Sequence, residues 1–141
     1  MAYELFEHRA DIGVRGRGKT CEKAFEECAK AMFSVMVDVK KVLPKRKMQF
    51  DSHATDLPAL LPEFLNNLLY LRDVEGLVFS RLEVKDLLQG PAGWELKASA
   101  WGEKFDPEKH EPKTEVKAAT FYQLAVKQTP EGFVAECVVD V

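Results

Sequence analysis

The sequence predicts an α/β domain of the α+β type, a two-layer sandwich in which two amphipathic helices cover one face of a mixed, largely antiparallel sheet. Apolar residues recur at three- and four-residue spacing over about residues 21–37 and 57–72, which indicates two helices with one buried side each. The other apolar segments are short and alternating, and turns separate the last of them, as is typical of antiparallel strands. At 141 residues, positions 1–141 fit one domain.

The composition is that of a globular protein with a core, since 46% of residues are hydrophobic and 30% are charged. A net charge of −3 argues against a surface that is basic throughout, as expected for a dedicated nucleic-acid-binding domain. No apolar stretch is long enough to span a membrane, and the first residues lack the basic and apolar regions of a signal peptide. We therefore expect a cytoplasmic protein without a membrane partner.

The cysteine pattern also favours a reducing compartment. Cys21, Cys28 and Cys137 are odd in number and lack C-x-x-C spacing. Cys21 and Cys28 lie seven positions apart on the first predicted helix, which is too far for a disulfide. We expect all three to be packed thiols.

The N-terminal half is predicted to contain two strands, a helix and a third strand. Residues 3–8 and 12–17 form the first two strands. Thr20 is a suitable N-cap for the first helix, over about residues 21–37. Residues 48–52 form the third strand.

The second helix begins after Asp56, which is suited to cap it. Pro62 does not fit a helix interior, so we expect the regular helix to begin near Leu60 or to bend at Pro62, and to end near residues 72–73. Four strands should follow, with a loop at residues 105–112 between the second and the third. The four strands are residues 78–84, 94–101, 115–127 and 133–141.

Acidic groups at the two ends of the chain suggest a metal site. Asp11 lies at the junction of the first two strands, and the sequence ends in Asp140 and Val141, which adds a terminal carboxylate. If the last strand lies beside the first, these groups form an anionic oxygen cluster. Such a cluster is unstable without a cation and suits Ca²⁺ or Mg²⁺. The alternative is that Asp11 is a turn residue and Asp140 a solvated charge.

Gly13 to Thr20 matches the phosphate-loop pattern G-x-x-x-x-G-K-[ST], and a predicted helix follows it. This leaves a small nucleotide-binding protein as an alternative function. The context argues against it, because residues 14–17 alternate as a strand does. The rest of the chain also lacks the repeated strand–helix units of a parallel sheet.

A basic stretch around Pro44 leaves a further alternative, a free-standing RNA-binding module. The ordinary interpretation of such a stretch is a solvated loop. Its cations are Lys40, Lys41, Lys45, Arg46 and Lys47.

No catalytic residue is predicted. The sequence contains neither G-x-S-x-G nor H-E-x-x-H, and its three histidines lie far apart, at His8, His53 and His110. Lys117 and Thr120 lie on the predicted strand 115–127 and could reach the end of the sheet that carries Asp11.

Many short segments resemble those of archeases, small proteins that assist the RNA-splicing ligase RtcB. No single motif is decisive, but their order and spacing together are specific. The matching segments are Tyr3-Glu4, Glu7-His8, Ala10-Asp11-Ile12-Gly13, Gly18-Lys19-Thr20, Ala24-Phe25-Glu26, Ala31-Met32-Phe33, Val35-Met36, Leu68-Leu69-Tyr70, Asp73 with Glu75, Gly102-Glu103, His110-Glu111, Glu115-Val116-Lys117-Ala118 and Val139-Asp140-Val141.

The resemblance implies a non-enzymatic, cytoplasmic cofactor protein. Archeases promote guanylylation and multiple turnover of the ligase in tRNA splicing, so the implied partner is an RtcB-type ligase and RNA is reached only through it. The metal ligands implied by the family are Asp11, Asp140 and Val141, with Ca²⁺ preferred and Mg²⁺ the alternative. His8, Lys117 and Thr120 are candidates for supporting or partner-contacting roles.

The chain departs from the family pattern at three positions. Arg9 replaces the usual Thr after His8, which adds a cation near Asp11. Tyr122 stands where the family has a His, and Pro62 is unusual within the second helix.

Overall fold

The structure, a computed structural model, describes residues 2–8 and 11–141, and of Glu7 and His8 it describes the backbone alone. Helices and strands account for most of these residues. In chain order they are β1 (Ala2–His8), β2 (Asp11–Gly18), α1 (Cys21–Met36), a 3₁₀ turn (Val39–Lys41), β3 (Arg46–Ala54), α2 (Leu57–Glu75), β4 (Leu77–Gly90), β5 (Gly93–Lys104), α3 (Pro107–His110), β6 (Ala118–Ala119), β7 (Ala125–Thr129) and β8 (Gly132–Asp140).

The strands form two antiparallel sheets. One has the order β1-β2-β8-β6, with β7 also paired to β8, and the other has the order β3-β5-β4. The predicted α+β class, with antiparallel strands and two long helices, is confirmed. The prediction of one mixed sheet is wrong in detail, because the described strands divide between two sheets and every pairing between them is antiparallel.

Both long helices contact both sheets, and the core lies where they meet. α1 packs against β2 and β8 on one side and β4 on the other, while α2 packs chiefly against β3 and β6. Aromatic contacts join these layers: the Phe25 and Phe64 ring centroids lie 5.9 Å apart, and those of Phe33 and Phe79 lie 5.6 Å apart. A helix that is buried on several sides needs apolar residues around most of its circumference, as α1 has.

α1 begins and ends close to its predicted bounds. The Thr20 hydroxyl oxygen accepts a hydrogen bond from the backbone N–H of Lys23 at 3.1 Å, which satisfies one free donor of the first turn. At the other end the backbone N–H of Val37 donates to the carbonyl of Phe33 at 3.0 Å.

α2 is longer than predicted. It runs from Leu57 to Glu75 with Pro62 inside it, so the expected start near Leu60 is wrong. Asp56 caps the earlier start, because its carboxylate accepts from the backbone N–H of Ala59 at 2.8 Å. The helix ends at Gly76, whose φ of 67° is the left-handed conformation that glycine adopts readily.

The predicted strand over residues 115–127 is wrong, because the chain forms two short strands with a loop between them. Both β6 and β7 pair with β8, but residues 120–124 leave the ladder. The Thr120 hydroxyl donates to the carbonyl of Val138 at 2.7 Å and accepts from the backbone N–H of Tyr122 at 3.2 Å. Gln123 has a φ of 50°, which an extended strand does not allow. The predicted loop at residues 105–112 contains the short helix α3.

The phosphate-loop interpretation of Gly13 to Thr20 is wrong. Gly13 to Gly18 lie in β2, which pairs with β1 on one side and β8 on the other. Their backbone groups therefore belong to the sheet and cannot cradle a phosphate. A Cβ added at Gly16 would lie 2.2 Å from the carbonyl oxygen of Ala24 and from the backbone nitrogen of Cys28. Gly16 thus allows close packing of α1 on β2.

The carboxylate of Glu103 holds three segments together at the end of β5. It accepts hydrogen bonds from the backbone N–H of Leu43 at 2.8 Å and from Nζ of Lys109 at 2.9 Å. Nε2 of the fully buried His110 lies 2.9 Å from the same carboxylate. Nδ1 of His110 accepts from the backbone N–H of Asp106 at 2.9 Å, so the imidazole is neutral and Nε2 donates to Glu103.

These contacts lower the pKa of Glu103. The hydrogen bond from the Leu43 N–H is the largest cause, followed by those from Lys109 and His110, and together they bring the pKa from 4.5 to about 2. A carboxylate whose pKa falls on folding stabilises the folded state above its unfolded pKa. That stability is lost as the pH falls from about 4.5 to about 2.

The three cysteines are free and buried, as predicted. Burial raises the pKa of the Cys21 thiol to about 11 and that of the Cys28 thiol well above its usual value. These two thiols are therefore protonated at neutral pH and pack as small apolar side chains. Among the described residues, neither α1 nor α2 has the combination of length and apolar character that a membrane crossing requires.

Gly16→Ala should destabilise the protein by about 2–3 kcal/mol, because the new methyl group meets the backbone of α1 and cannot be relieved by side-chain rotation. Urea unfolding measures the change. Gly90→Ala is the matched control, since the atom nearest to its added Cβ lies 4.0 Å away. Equal stabilities of the two variants would contradict the close packing of α1 on β2.

Glu103→Gln should reduce the free energy of unfolding at neutral pH by about 1–3 kcal/mol, because buried donors lose a charged acceptor. It should also flatten the fall in stability between pH 4.5 and 2, which urea unfolding across that range measures. Glu131→Gln, at an exposed position, should retain the wild-type acid dependence. An unchanged acid dependence in Glu103→Gln would exclude Glu103 as its source.

Candidate metal centre

The five-stranded sheet brings Asp11 and Asp140 to one corner. β2 and β8 are antiparallel neighbours, and their ladder at this end closes with the pair Ile12 and Val139. The next residues outward are Asp11 on β2 and Asp140 on β8, so the register sets them opposite each other. β1 continues the same row, because the backbone of His8 pairs with Asp11. The adjacency that the predicted acidic cluster requires is therefore present.

The two carboxylates are on the open face of this sheet. Val14 is fully buried, so its neighbour Arg15 lies on the opposite side, where its Nε donates to Glu136 on β8 at 3.0 Å. Asp11 is four residues from Arg15, and Asp140 is four residues from Glu136. Side chains in a strand repeat every second residue, so Asp11 and Asp140 share this face, with Cβ atoms about 5 Å apart.

Arg15 and Arg17 on this face are paired with carboxylates, whereas Asp11 and Asp140 have no such partner among the described residues. Arg15 contacts Glu136 and also Glu4, and these contacts raise the pKa of Arg15, chiefly through the hydrogen bond to Glu136. Within the part of the chain that the structure describes, neither Asp11 nor Asp140 forms a salt bridge. Like charges directly opposite on neighbouring strands destabilise a sheet, so the two carboxylates repel each other unless a cation lies close to both.

β8 is held firmly where it carries Asp140. The backbone N–H of Lys117 donates to the carbonyl of Asp140 at 2.8 Å, and the Thr120 hydroxyl donates to that of Val138. Lys117 therefore does reach the end of the sheet that carries Asp11, and its own side chain is exposed. In this arrangement Lys117 and Thr120 position the backbone of β8, and Lys117 adds a cation near the corner.

Val141 follows Asp140 directly, and its side chain packs partly against the core. The side chain of His8 and the whole of Arg9 lie outside the described residues, so the structure assigns them no contact. His8 is placed only by its backbone, in the same row as Asp11.

The oxygen donors at this corner are of the chemical type that a hard divalent cation binds. They are carboxylate oxygens on an open face, which are the ligands that Ca²⁺ and Mg²⁺ prefer. Among the described residues, no three His, Cys, Asp or Glu side chains are grouped so as to hold a metal ion. The candidate donors that the described residues bring together at this corner are therefore two, the side-chain carboxylates of Asp11 and Asp140.

Sequence reasoning identified this corner but missed the Glu103 cluster. Leu43, Glu103, Lys109 and His110 are spread over more than sixty positions, so no local motif relates them. The segments Gly102-Glu103 and His110-Glu111 appear in the sequence only as separate short matches. In the structure they meet in the contact between Glu103 and His110.

Comparisons of the sequence and of the fold with known proteins identify relatives from one family. The model of the archease protein family matches residues 3–141. The chain is 47% identical over 140 residues to the protein archease of Pyrococcus furiosus, covering 99% of this chain and 98% of that relative. It is 50% identical over 130 residues to that of Thermococcus kodakarensis, covering 92% and 91%. The solution structure of Methanobacterium thermoautotrophicum protein 1598 superposes with a TM-score of 0.79 at 29% identity, covering 99% of both chains.

Proposed function

The chain belongs to the archease family, and we propose that it is a non-catalytic, metal-binding cofactor protein of an RtcB-type RNA ligase. In this proposal it promotes guanylylation and multiple turnover of the ligase during tRNA splicing in the cytoplasm. The observation that carries the metal-dependent part is the acidic corner, where Asp11 and Asp140 face each other across β2 and β8 without an ion pair among the described residues.

The proposed ion is Ca²⁺, with Mg²⁺ as the alternative. Asp11, Asp140 and the carboxylate of Val141 would hold it, and a bound divalent ion supplies a positive centre for oxygen ligands, including those of phosphates. Three anionic groups would attract a dication, and the bound ion would offset the repulsion between the carboxylates of the two strands. Ca²⁺ accepts an irregular, water-rich shell more readily than Mg²⁺, which suits a site at the open edge of a sheet.

The architecture suits a site that must meet a partner protein. Asp11 and Asp140 lie on strands rather than in a mobile loop, and the Lys117 N–H fixes the backbone of Asp140. Phe121 and Tyr122, in the loop between β6 and β7, are 59% and 56% exposed beside β8. Rigid ligands with exposed aromatic neighbours are consistent with a site presented to another protein surface.

The alternative of an RNA-binding module formed by residues 40–47 gains no support. Lys41 pairs with Glu111, and Lys45 lies 3.8 Å from Glu103. Lys47 belongs to the open face of another element, β3. The ion pairs of Lys41 and Lys45 partly neutralise this stretch, which favours its interpretation as a solvated segment.

Asp11→Asn and Asp140→Asn should each weaken divalent-ion binding, on the order of tenfold to 100-fold, because each removes one of few anionic ligands and preserves size. Calorimetric titration with Ca²⁺ and with Mg²⁺ measures the effect and also identifies the preferred ion.

Asp51→Asn is the matched control, since it makes the same change on the other sheet. If both corner variants bind the divalent ion with wild-type affinity, the acidic corner is not the metal site. Thermal unfolding should show all three variants folded, because none loses buried apolar area.

A Gly-Ser tail after Val141 should lower ligase activation at low Ca²⁺, because the terminal carboxylate becomes a neutral amide. Excess Ca²⁺ should restore part of the activity, since an amide carbonyl still binds Ca²⁺ weakly. The measurement is multiple-turnover RNA ligation by an RtcB-type ligase as a function of Ca²⁺ concentration.

Lys19→Ala is the control for this assay and should activate as the wild type does, because the phosphate-loop motif is part of the sheet. Coincident Ca²⁺ dependences of wild type and the tailed variant would exclude the terminal carboxylate as a ligand. Absence of any stimulation by the wild type would contradict the ligase role itself.

A further inference from the structure

The three-stranded sheet has one face on the helices and one open face. Leu96, Ala98 and Ala100 of the central strand β5 are buried, so the alternate residues point to the open side. The register with β3 and β4 extends over several rows on that side, and the row of His53, Glu95 and Leu88 is the next one along β5. We give the name Trp101 face to the nine residues of three successive rows: Lys47, Trp101 and Arg81; Gln49, Ser99 and Glu83; and Asp51, Lys97 and Lys85.

Trp101 is placed between two cations. Lys47 pairs with it from β3 and Arg81 from β4. Nζ of Lys47 lies 5.3 Å and Cζ of Arg81 lies 4.4 Å from the centroid of the indole ring. Cation–π contacts of this kind hold the ring in position on an otherwise polar surface. The result is a fixed, partly exposed aromatic group in a positive setting.

The third row contains a like-charge pair. Lys85 and Lys97 are directly opposite each other on β4 and β5, an arrangement that destabilises a sheet. Asp51 lies on the other side of Lys97, and Glu83 lies 3.4 Å from Lys85. Lys97 itself forms no salt bridge within the described part of the chain. A bound anion would relieve the repulsion between the two lysines.

Lysines from the first and third rows line one shallow depression of about 340 Å³. Lys47, Lys85 and Lys97 contribute the cations, while Asp51 and Asp86 contribute carboxylates. Over the whole Trp101 face, four cations exceed two carboxylates in a chain whose net charge is −3. Glu95 in the next row and Asp86 at the depression add two carboxylates, so the excess of positive charge is confined to the nine residues themselves.

The spacing favours a polymer over a single anion. The first and third rows are four residues apart along the strands, or about 13 Å, which is long enough for more than one phosphate of a nucleic-acid chain. The partly exposed indole of Trp101 offers a surface for an unpaired base where Arg81 and Lys47 leave it uncovered. Open sheets with an aromatic platform and a cationic surround are a common way to bind single strands.

From these observations we infer that the Trp101 face binds single-stranded nucleic acid, with a base stacked on Trp101 and phosphates bound by Lys47, Lys85 and Lys97. This contact is direct and independent of any ligase. It also differs from the expectation that RNA is reached only through the partner.

The test uses the purified protein alone and fluorescence anisotropy with labelled oligouridylate and oligothymidylate of twelve nucleotides. Lys85→Gln/Lys97→Gln should weaken binding about tenfold at low salt. It should also reduce the slope of log affinity against log salt by about 1.4, because each lost phosphate contact on a single strand contributes about 0.7. Preference for the RNA oligomer would indicate contacts to the 2′-hydroxyl, and equal binding would indicate stacking and phosphate contacts alone.

Trp101→Leu separates stacking from charge. It should weaken binding about tenfold while leaving the salt slope unchanged, since stacking releases no counterions. In a Trp94→Phe background, Trp101 is the single remaining tryptophan, and oligonucleotide should quench its fluorescence. If Trp101 has only a structural role, a Trp101→Leu variant that remains folded by circular dichroism should bind the oligonucleotide as the wild type does. Oligonucleotide should then not quench the fluorescence of Trp101.

Lys19→Gln/Lys127→Gln is the matched control, because it removes two exposed cations from the region of the other sheet. It should bind as the wild type does. The inference is overturned if the control loses as much affinity as the Lys85/Lys97 variant. It is also overturned if neither oligomer binds at low salt. A third contrary result is that polyglutamate competes with the oligonucleotide as well as unlabelled oligonucleotide does and that Trp101→Leu has no effect, which would indicate an acidic protein partner. Each outcome is independent of the ligase assay.

Discussion

The pairing of β8 with β2 is the interaction on which the rest of the structure depends. It joins residues as distant as Arg15 and Glu136, which are 121 positions apart, and makes β8 the neighbour of three other strands. α1 lies against this ladder because Gly16 and Gly18 leave room for its backbone. The same ladder sets Asp11 opposite Asp140. Packing of the first helix and assembly of the acidic corner thus have one physical origin.

Local signals in the sequence predicted the two long helices and their N-caps, although not the start of α2 or the short helix α3, and they were not sufficient for the sheets. Thr20 and Asp56 cap α1 and α2 as expected, since a cap depends on residues three positions away. The division of the strands into two sheets depends on long-range pairing, which alternation alone does not specify. The interruption between β6 and β7 also escaped prediction, because it results from hydrogen bonds between Thr120 and the distant Val138.

The positions of Asp11 and Asp140 in one corner could be predicted because they depend on only one long-range contact. Asp11 and Asp140 stand at the ends of apolar segments, so a single assumption about strand adjacency was enough to bring them together. The Glu103 cluster required three segments to meet, and the Trp101 face required the register of three strands. Neither the cluster nor the face can be recognised from the amino-acid sequence alone. The two sheets thus carry different surfaces, one with an acidic corner and one with an aromatic, basic face, separated by the helices that pack between them.

The distance in sequence between β2 and β8 has a consequence for how the chain folds. Closing a loop of about 120 residues is entropically costly, and long-range antiparallel contacts form slowly for this reason. β3, α2, β4 and β5 are contiguous in sequence and need no such long loop, so they can assemble before β2 pairs with β8. During that interval β2 exposes an unpaired edge, which is a template for pairing with other chains. In the finished protein the same pairing makes the acidic corner a late marker of folding, since the two carboxylates meet only once β8 is in place.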